Sequence, residues 1–296
     1  MVSITETCVR ANGIDFVCLE AGQGPLALCF HGFPDSPHSY RHLIQELAAA
    51  GYRAVAPFLR GYAPTSIPAD QDYETSTLAR DVSGLHEALG GGPDAVLIGH
   101  DWGAGIVYCG ASFEPERWRS CVAMSIPPLA VFGQVGFGYE QLKREFHFWF
   151  FQMAVADTVI LADDMAFIDC LWKDWSPGFD ATAELGYVKK SLGTAENLSA
   201  ALGYYRALFN PAEFGTPAGL AKQGPIWGRP LTQPTLYLHG DDDGCVALDE
   251  KSIADVPTYL GPGSRAELVP GAGHFLLQEK PAEVNARILE FLGAPR

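Results

Sequence analysis

The pentapeptide Gly99-His100-Asp101-Trp102-Gly103 constrains this chain more than any other feature. It follows the unbroken apolar run 95–98 and opens a stretch, 102–112, with helical spacing. A short apolar run of this kind reads as a buried strand. A turn straight from strand into helix brings two backbones together, and glycine on both sides leaves the room. One acidic residue, Asp101, then stands at the tip. The same grammar recurs along the chain. Strand-like runs at 14–20, 25–30, 53–59, 94–99 and 120–125 alternate with helical runs at 40–50, 77–89 and 102–112. The pattern resumes with strands at 234–239 and 266–269 and helices at 252–260 and 282–292. Strands separated by helices of this size build parallel βαβ units, so the fold class is α/β.

The middle breaks the pattern. From about 128 to 228 the spacing is helical throughout, with no convincing strand, and aromatics are dense at Phe146, Phe148, Trp149, Phe150, Phe151, Trp172, Trp175, Tyr187, Tyr204 and Tyr205. A helical block between two halves of a βα sheet reads as a cap over one edge of it. Most of its aromatics are expected to be the cap's own core. The division is 1–127 and 229–296 for the core and 128–228 for the cap.

Lys and Arg number 20 against 35 Asp and Glu, a formal charge of −15. That excludes nucleic acid as a partner, since phosphate binding needs a basic face, and it argues against an anionic membrane surface. No apolar stretch reaches the roughly 18 residues of a membrane span. Residues 1–16 lack a basic start followed by an apolar run, so no secretory signal is read there. The seven cysteines contain no Cys-x-x-Cys pair, and several lie in apolar runs. They read as reduced, mostly buried thiols of a cytoplasmic protein.

Strand, Gly-x-Asp-x-Gly, helix is the setting of a nucleophile elbow, with Asp in the place of the usual Ser. An Asp before a helix also serves as an N-cap, but the paired glycines favour the elbow. A carboxylate is a poor acyl acceptor, yet it can displace a leaving group from an sp3 carbon and become an alkyl ester. Water must then cleave that ester with a general base. His274, in Pro270-Gly271-Ala272-Gly273-His274-Phe275, follows the last strand and is the candidate base. Such a base needs an acceptor to fix its tautomer. Asp243 is the best candidate, with Asp241 and Asp242 competing in the same acidic run. After strand 26–30 comes His31-Gly32-Phe33-Pro34, whose Phe33 N–H, with that of Trp102, offers an oxyanion hole.

These pieces together resemble the α/β-hydrolase superfamily, and more narrowly its epoxide hydrolase and dehalogenase branch. The matching segments are His31-Gly32-Phe33-Pro34-Asp35-Ser36, Arg60-Gly61-Tyr62, the Asp101 pentapeptide, Gly240-Asp241-Asp242-Asp243, and Gly273-His274-Phe275 with Lys280-Pro281. The resemblance implies a mostly parallel eight-stranded sheet flanked by helices, with an inserted helical cap. It implies Asp101 as nucleophile, His274 as base and Asp243 as the acid that orients it. Ser125 stands where some dehalogenases carry their acid, which favours Asp243.

Epoxide hydrolases usually place two cap tyrosines over the nucleophile to protonate the opened oxygen. Leu202-Gly203-Tyr204-Tyr205-Arg206 resembles the second of these motifs, with Tyr205 the matching residue and Tyr204 competing. The first motif falls on 146–152, where His147 stands in place of tyrosine, as in a bacterial subset with a His–Tyr pair. A histidine satisfied by its neighbours is the competing reading of His147. The expected activity is cofactor-free and metal-free hydrolysis of an epoxide to a vicinal diol, through an ester on Asp101. The alternative is a haloalkane or haloacid dehalogenase with the same nucleophile. Haloacetate dehalogenases add a Trp directly after the cap His and arginines around the elbow. Here Phe148 follows His147, and Trp102 and Ala104 flank the elbow, which disfavours a carboxylate substrate. Phe33, Trp102, Phe148, Trp149, Phe151 and Tyr204 are the residues expected against a small apolar epoxide. A homodimer is compatible with this reading and is not specified by it.

Overall fold

The computed structural model describes residues 2–295. Among these, one sheet holds β1 (Thr5–Ala11), β2 (Ile14–Ala21), β3 (Leu26–Phe30), β4 (Arg53–Pro57), β5 (Val96–His100), β6 (Ser120–Met124), β7 (Thr235–Gly240) and β8 (Arg265–Val269). Its order is β1-β2-β4-β3-β5-β6-β7-β8. β2 runs antiparallel to both β1 and β4, and every pairing from β4 to β8 is parallel. All residues of β3, β5, β6 and β7 are buried. Helices cover both faces of a parallel sheet, so its central strands are apolar on both sides.

The register sets the site. Phe30 lies beside Gly99, His100 beside Met124, and Gly240 beside Val269. These positions end their strands along one edge of the sheet. The loops leaving that edge carry Phe33, Asp101, Ser125, Asp243 and His274. The carboxyl ends of parallel strands are where open α/β sheets bind ligands.

Two expectations need correcting. The strand β1 lies outside the runs that periodicity marks as strands. It is an edge strand exposed along most of its length, with the sequence Thr-Glu-Thr-Cys-Val-Arg-Ala, and so lacks an apolar face to read. The helix expected over 252–260 is a short α-helix, Glu250–Asp255, followed by a separate 3-10 turn, Val256–Tyr259. Pro257 has no N–H to continue the α ladder.

Between β6 and β7 the described residues form helices and no strand: Leu129–Val135, Tyr139–Arg144, Phe146–Phe150, Ala156–Trp175, which is broken by non-helical backbone at 162–165, Thr182–Ser191, Ala195–Leu208 and Pro217–Trp227. This helical insert is tied to the sheet's loops by buried hydrogen bonds. Trp172 Nε1 donates to the Pro34 carbonyl at 2.8 Å, and Asn197 Nδ2 to that of Gly61 at 2.7 Å.

Candidate active site

Asp101 sits at the turn between β5 and the helix Trp102–Phe113 with φ 54° and ψ −120°. Such a conformation costs a non-glycine residue on the order of 1–3 kcal/mol and persists only where its surroundings impose it. Here the Asp101 N–H donates to Met124 O at 3.1 Å, and its carbonyl accepts from the Ala104 N–H at 2.8 Å. A Cβ on Gly99 would strike the Gly103 carbonyl, and one on Gly103 would strike that of Phe30. The elbow therefore needs both glycines. The Asp101 side chain makes no capping bond to its own helix, which sets the N-cap reading aside.

Its carboxylate is held from two sides. Oδ1 accepts the Phe33 N–H at 2.7 Å, and Oδ2 lies 3.4 Å from His274 Nε2. Gly32 has no side chain because a Cβ there would run into the Asp101 carboxylate. The Trp102 N–H has no hydrogen-bond partner among the described residues. It opens the elbow helix one residue past Asp101, next to the carboxylate that Phe33 already holds.

His274 Nδ1 donates to Asp243 Oδ2 at 2.9 Å. Asp243 Oδ1 in turn accepts two backbone N–H groups, from Cys245 at 2.7 Å and Val246 at 2.9 Å. The competitors point elsewhere: Asp241 and Asp242 are exposed, and Asp241 Oδ1 accepts the Gly271 N–H at 2.7 Å. Burial alone pulls the His274 imidazole down, but Asp243 on one nitrogen and Asp101 on the other override it and hold its pKa up at about 10. Burial pushes both carboxyls up, yet the imidazolium between them brings each below the ordinary carboxylate value. The resting site is thus a cation between two anions.

The backbone of His274 is fixed as firmly as its ring. Its carbonyl accepts from Ser125 Oγ at 2.8 Å and from His100 Nε2 at 2.8 Å. Ser125, read from the sequence as a vacated acid position, and His100, inside the pentapeptide, gave no signal of this role. The bond they make is to a backbone atom 149 or more residues away.

The insert faces the site across an apolar pocket, open to solvent on one side, with about 710 Å³ of atom-free space when that open solvent is counted. Asp101, Trp102, Phe148 and Tyr205 lie on its wall, with Leu129, Phe132, Phe137, Leu208, Phe209 and Trp227. Burial and the nearby Asp101 charge keep the Tyr205 hydroxyl protonated, well above its ordinary pKa. His147 is buried, its ring 5.5 Å from that of Tyr205 and 5.0 Å from that of Trp175. Burial pulls His147 down to about 3 against the opposing pull of Asp101, so it is neutral at neutral pH. Phe33 and Phe151 stand behind the wall, their rings 5.4 and 5.0 Å from Tyr205.

Four of the residues expected against substrate are placed otherwise, Phe33 and Phe151 behind the wall and two more turned away from it. Tyr204 turns its hydroxyl away and donates to the Arg60 carbonyl at 3.0 Å. Trp149 is 38% exposed and packs its ring against Phe209 and Phe214, outside the cavity. The aromatic density of 146–151 marked the region correctly, but a five-residue helix rotates its side chains about 100° per residue. Only Phe148 of that stretch reaches the cavity wall.

Residues 25–281 match the model of the alpha/beta hydrolase fold family. An epoxide hydrolase from Caballeronia sordidicola is 30% identical over 98% of this chain and 94% of its own length. Epoxide hydrolase A of Mycobacterium tuberculosis is 30% identical over 97% of each chain. The chain belongs to the epoxide hydrolases of the α/β-hydrolase fold. A crystal structure of the Bacillus megaterium epoxide hydrolase with an inhibitor superposes with a TM-score of 0.82 at 26% identity, over 97% of this chain and 99% of that one. Like the elbow of other α/β-hydrolases, the turn at Asp101 exposes its nucleophile candidate at the sheet's carboxyl edge. Among the described residues, no helix of this epoxide hydrolase is long and apolar enough to cross a membrane.

Proposed function

We propose that this protein opens an epoxide through an alkyl ester on Asp101 and hydrolyses that ester to a vicinal diol. The insert, 128–228, acts as a lid over the core formed by 1–127 and 229–296. The observation that carries the reading is the split use of one carboxylate: Oδ1 is held by the Phe33 N–H, while Oδ2 is left facing His274. Oδ2 is then the attacking atom, and Oδ1 becomes the ester carbonyl already seated in its hole.

Asp101 Oδ2 bonds to an epoxide carbon as the ring C–O bond breaks. Tyr205 gives its proton to the released alkoxide, with neutral His147 beside it in the lid. Esterification removes the Asp101 charge that helped hold the imidazolium. His274 passes its proton to the Tyr205 phenolate and becomes a neutral base. It then takes a proton from water, and the hydroxide adds to the Asp101 carbonyl carbon. Negative charge develops on Oδ1, where the Phe33 and Trp102 N–H groups stabilise it. Collapse expels the diol alkoxide, which takes the proton from His274. The new Asp101 carboxylic acid re-protonates His274, and the resting pair returns.

The cavity wall carries no cation, so a neutral, apolar epoxide fits and an anionic one does not. Nothing in the site favours a halide leaving group. The test is His274→Gln exposed to styrene oxide, with 1-bromobutane as the halogenated control. Intact-mass measurement is expected to show an enzyme adduct equal to the epoxide, and the parent enzyme to release diol without free halide. A variant that never gains the adduct sinks the scheme.

A further inference from the structure

The mechanism above leaves unused a buried polar cluster where the insert meets the loop that carries Asp243. Gln141, on the helix Tyr139–Arg144, is 5% exposed. Its Nε2 donates to the Cys245 carbonyl at 2.8 Å and to Glu145 Oε1 at 2.7 Å. Its Oε1 accepts the Ala247 N–H at 3.0 Å. The next contact along, from Arg144 Nη1, reaches the Asp243 carbonyl at 3.1 Å. Cys245 therefore points its N–H at the catalytic carboxylate and its C=O at Gln141. Burial holds the Glu145 carboxyl up at about 8, so at neutral pH it adds no charge beside Asp243.

The helix that ends at Trp175, near the middle of the insert, grips the same loop. The Trp175 carbonyl accepts the Gly244 N–H at 3.0 Å and the His274 N–H at 2.9 Å. A Cβ on Gly244 would strike the Asp174 carbonyl, and one on Gly273 would lie 2.6 Å from Ser176 Cα. Insert and loops thus meet backbone against backbone.

We propose that Gln141 is a positioning residue for ester hydrolysis, holding the Asp243 loop to the insert so that Asp243 keeps His274 aimed. The proposal rests on the ester scheme above. It separates the two half-reactions. Attack by Asp101 does not use the Asp243–His274 bond, whereas activation of water does. A side chain that merely stabilises the fold would lower both steps alike.

The experiment is rapid-quench mass spectrometry of wild type, Gln141→Met and Arg144→Met with styrene oxide, beside steady-state kinetics. One lost aligning hydrogen bond predicts ester hydrolysis slowed about tenfold in Gln141→Met. Alkylated enzyme should accumulate, kcat and KM should fall together, and kcat/KM, which reports alkylation, should hold within about twofold. Arg144→Met, at an exposed position, should shift the same way by about threefold, a fraction of one hydrogen bond's effect. Unchanged hydrolysis, or kcat and kcat/KM falling by one factor, overturns the assignment. If Gln141→Met fails to fold, Arg144→Met decides by the same criteria. His274→Gln run alongside separates the two claims: no ester there overturns the reaction scheme itself, while a trapped ester leaves only the role of Gln141 at stake.

Discussion

Tyr204 and Tyr205 are adjacent, aromatic and fully buried, yet one residue's step around the helix points them in different directions. Successive residues are about 100° apart around a helix. Tyr204 therefore reaches the Arg60 carbonyl, while Tyr205 reaches the cavity that holds Asp101. The pair makes a clean test. In the proposed scheme Tyr205→Phe removes the proton donor at the reacting oxygen, and it should lower kcat/KM by about 10²-fold. Its stability should fall by no more than about 1 kcal/mol, since that hydroxyl's partner in the protein is the Trp102 side chain. Tyr204→Phe should also cost about 1 kcal/mol of stability, but with kcat/KM kept within about twofold. Diol formation and urea midpoints measure both. A catalytic loss in Tyr204→Phe larger than in Tyr205→Phe would reverse the assignment.

At the scale of elements, what could be read from sequence followed periodicity. β5 and the elbow helix combine an unbroken apolar run, two glycines and a helical repeat, so strand, turn and the acidic residue at its tip were all legible. The run 240–243 showed that an acid was present but not which one. The choice depends on the Asp243 loop folding back so that Cys245 and Val246 present their N–H groups. The insert was legible as helical, but its aromatic roles were not. Short helices can roll about their axes without changing their sequence pattern, so Phe132, Phe137 and Trp227 on the wall gave no signal apart from their aromaticity. Phe137 is 58% exposed at the cavity rim, against Phe214. Phe137→Lys should cost little stability, because exposed substitutions usually stay within about 0.5 kcal/mol. It should raise kcat/KM for a carboxylate-bearing epoxide several-fold relative to its methyl ester, and the gain should fade above about 0.5 M salt. Equal kcat/KM ratios in both proteins would show that the substrate tail does not pass this rim.

Across the whole molecule, buried titratable groups in and around the site shape stability against pH. His31 and His147 are pulled down to about 3 by burial, and His100 to about 4. A histidine with a lowered pKa contributes stability above its unfolded value of about 6.5 and loses it as pH falls toward the folded value. His274 has the opposite sign. Its pKa is raised to about 10, so its contribution is complete below about 6.5 and is lost as pH rises through about 10. Asp35, raised by burial to about 7, adds to the loss on the alkaline side of its unfolded value. Stability should therefore peak near pH 6–7 and fall on both sides. Within the alkaline limb, one proton held only by the folded state gives a slope of up to about 1.4 kcal/mol per pH unit. General repulsion from the net charge of −15 also grows there, but salt screens it and the buried triad is screened far less. The two separate in a variant. With 0.5 M salt in both samples, denaturant unfolding from pH 7 to 9 should show a decline that is shallower in His274→Gln than in wild type by up to about 1.4 kcal/mol per pH unit, the remainder coming from Glu145, raised to about 8, and from buried thiols such as Cys18 and Cys109, raised to about 12. A variant whose alkaline limb matches wild type would mean that His274 is not the group holding that proton, and the cation between two anions would have to be redrawn.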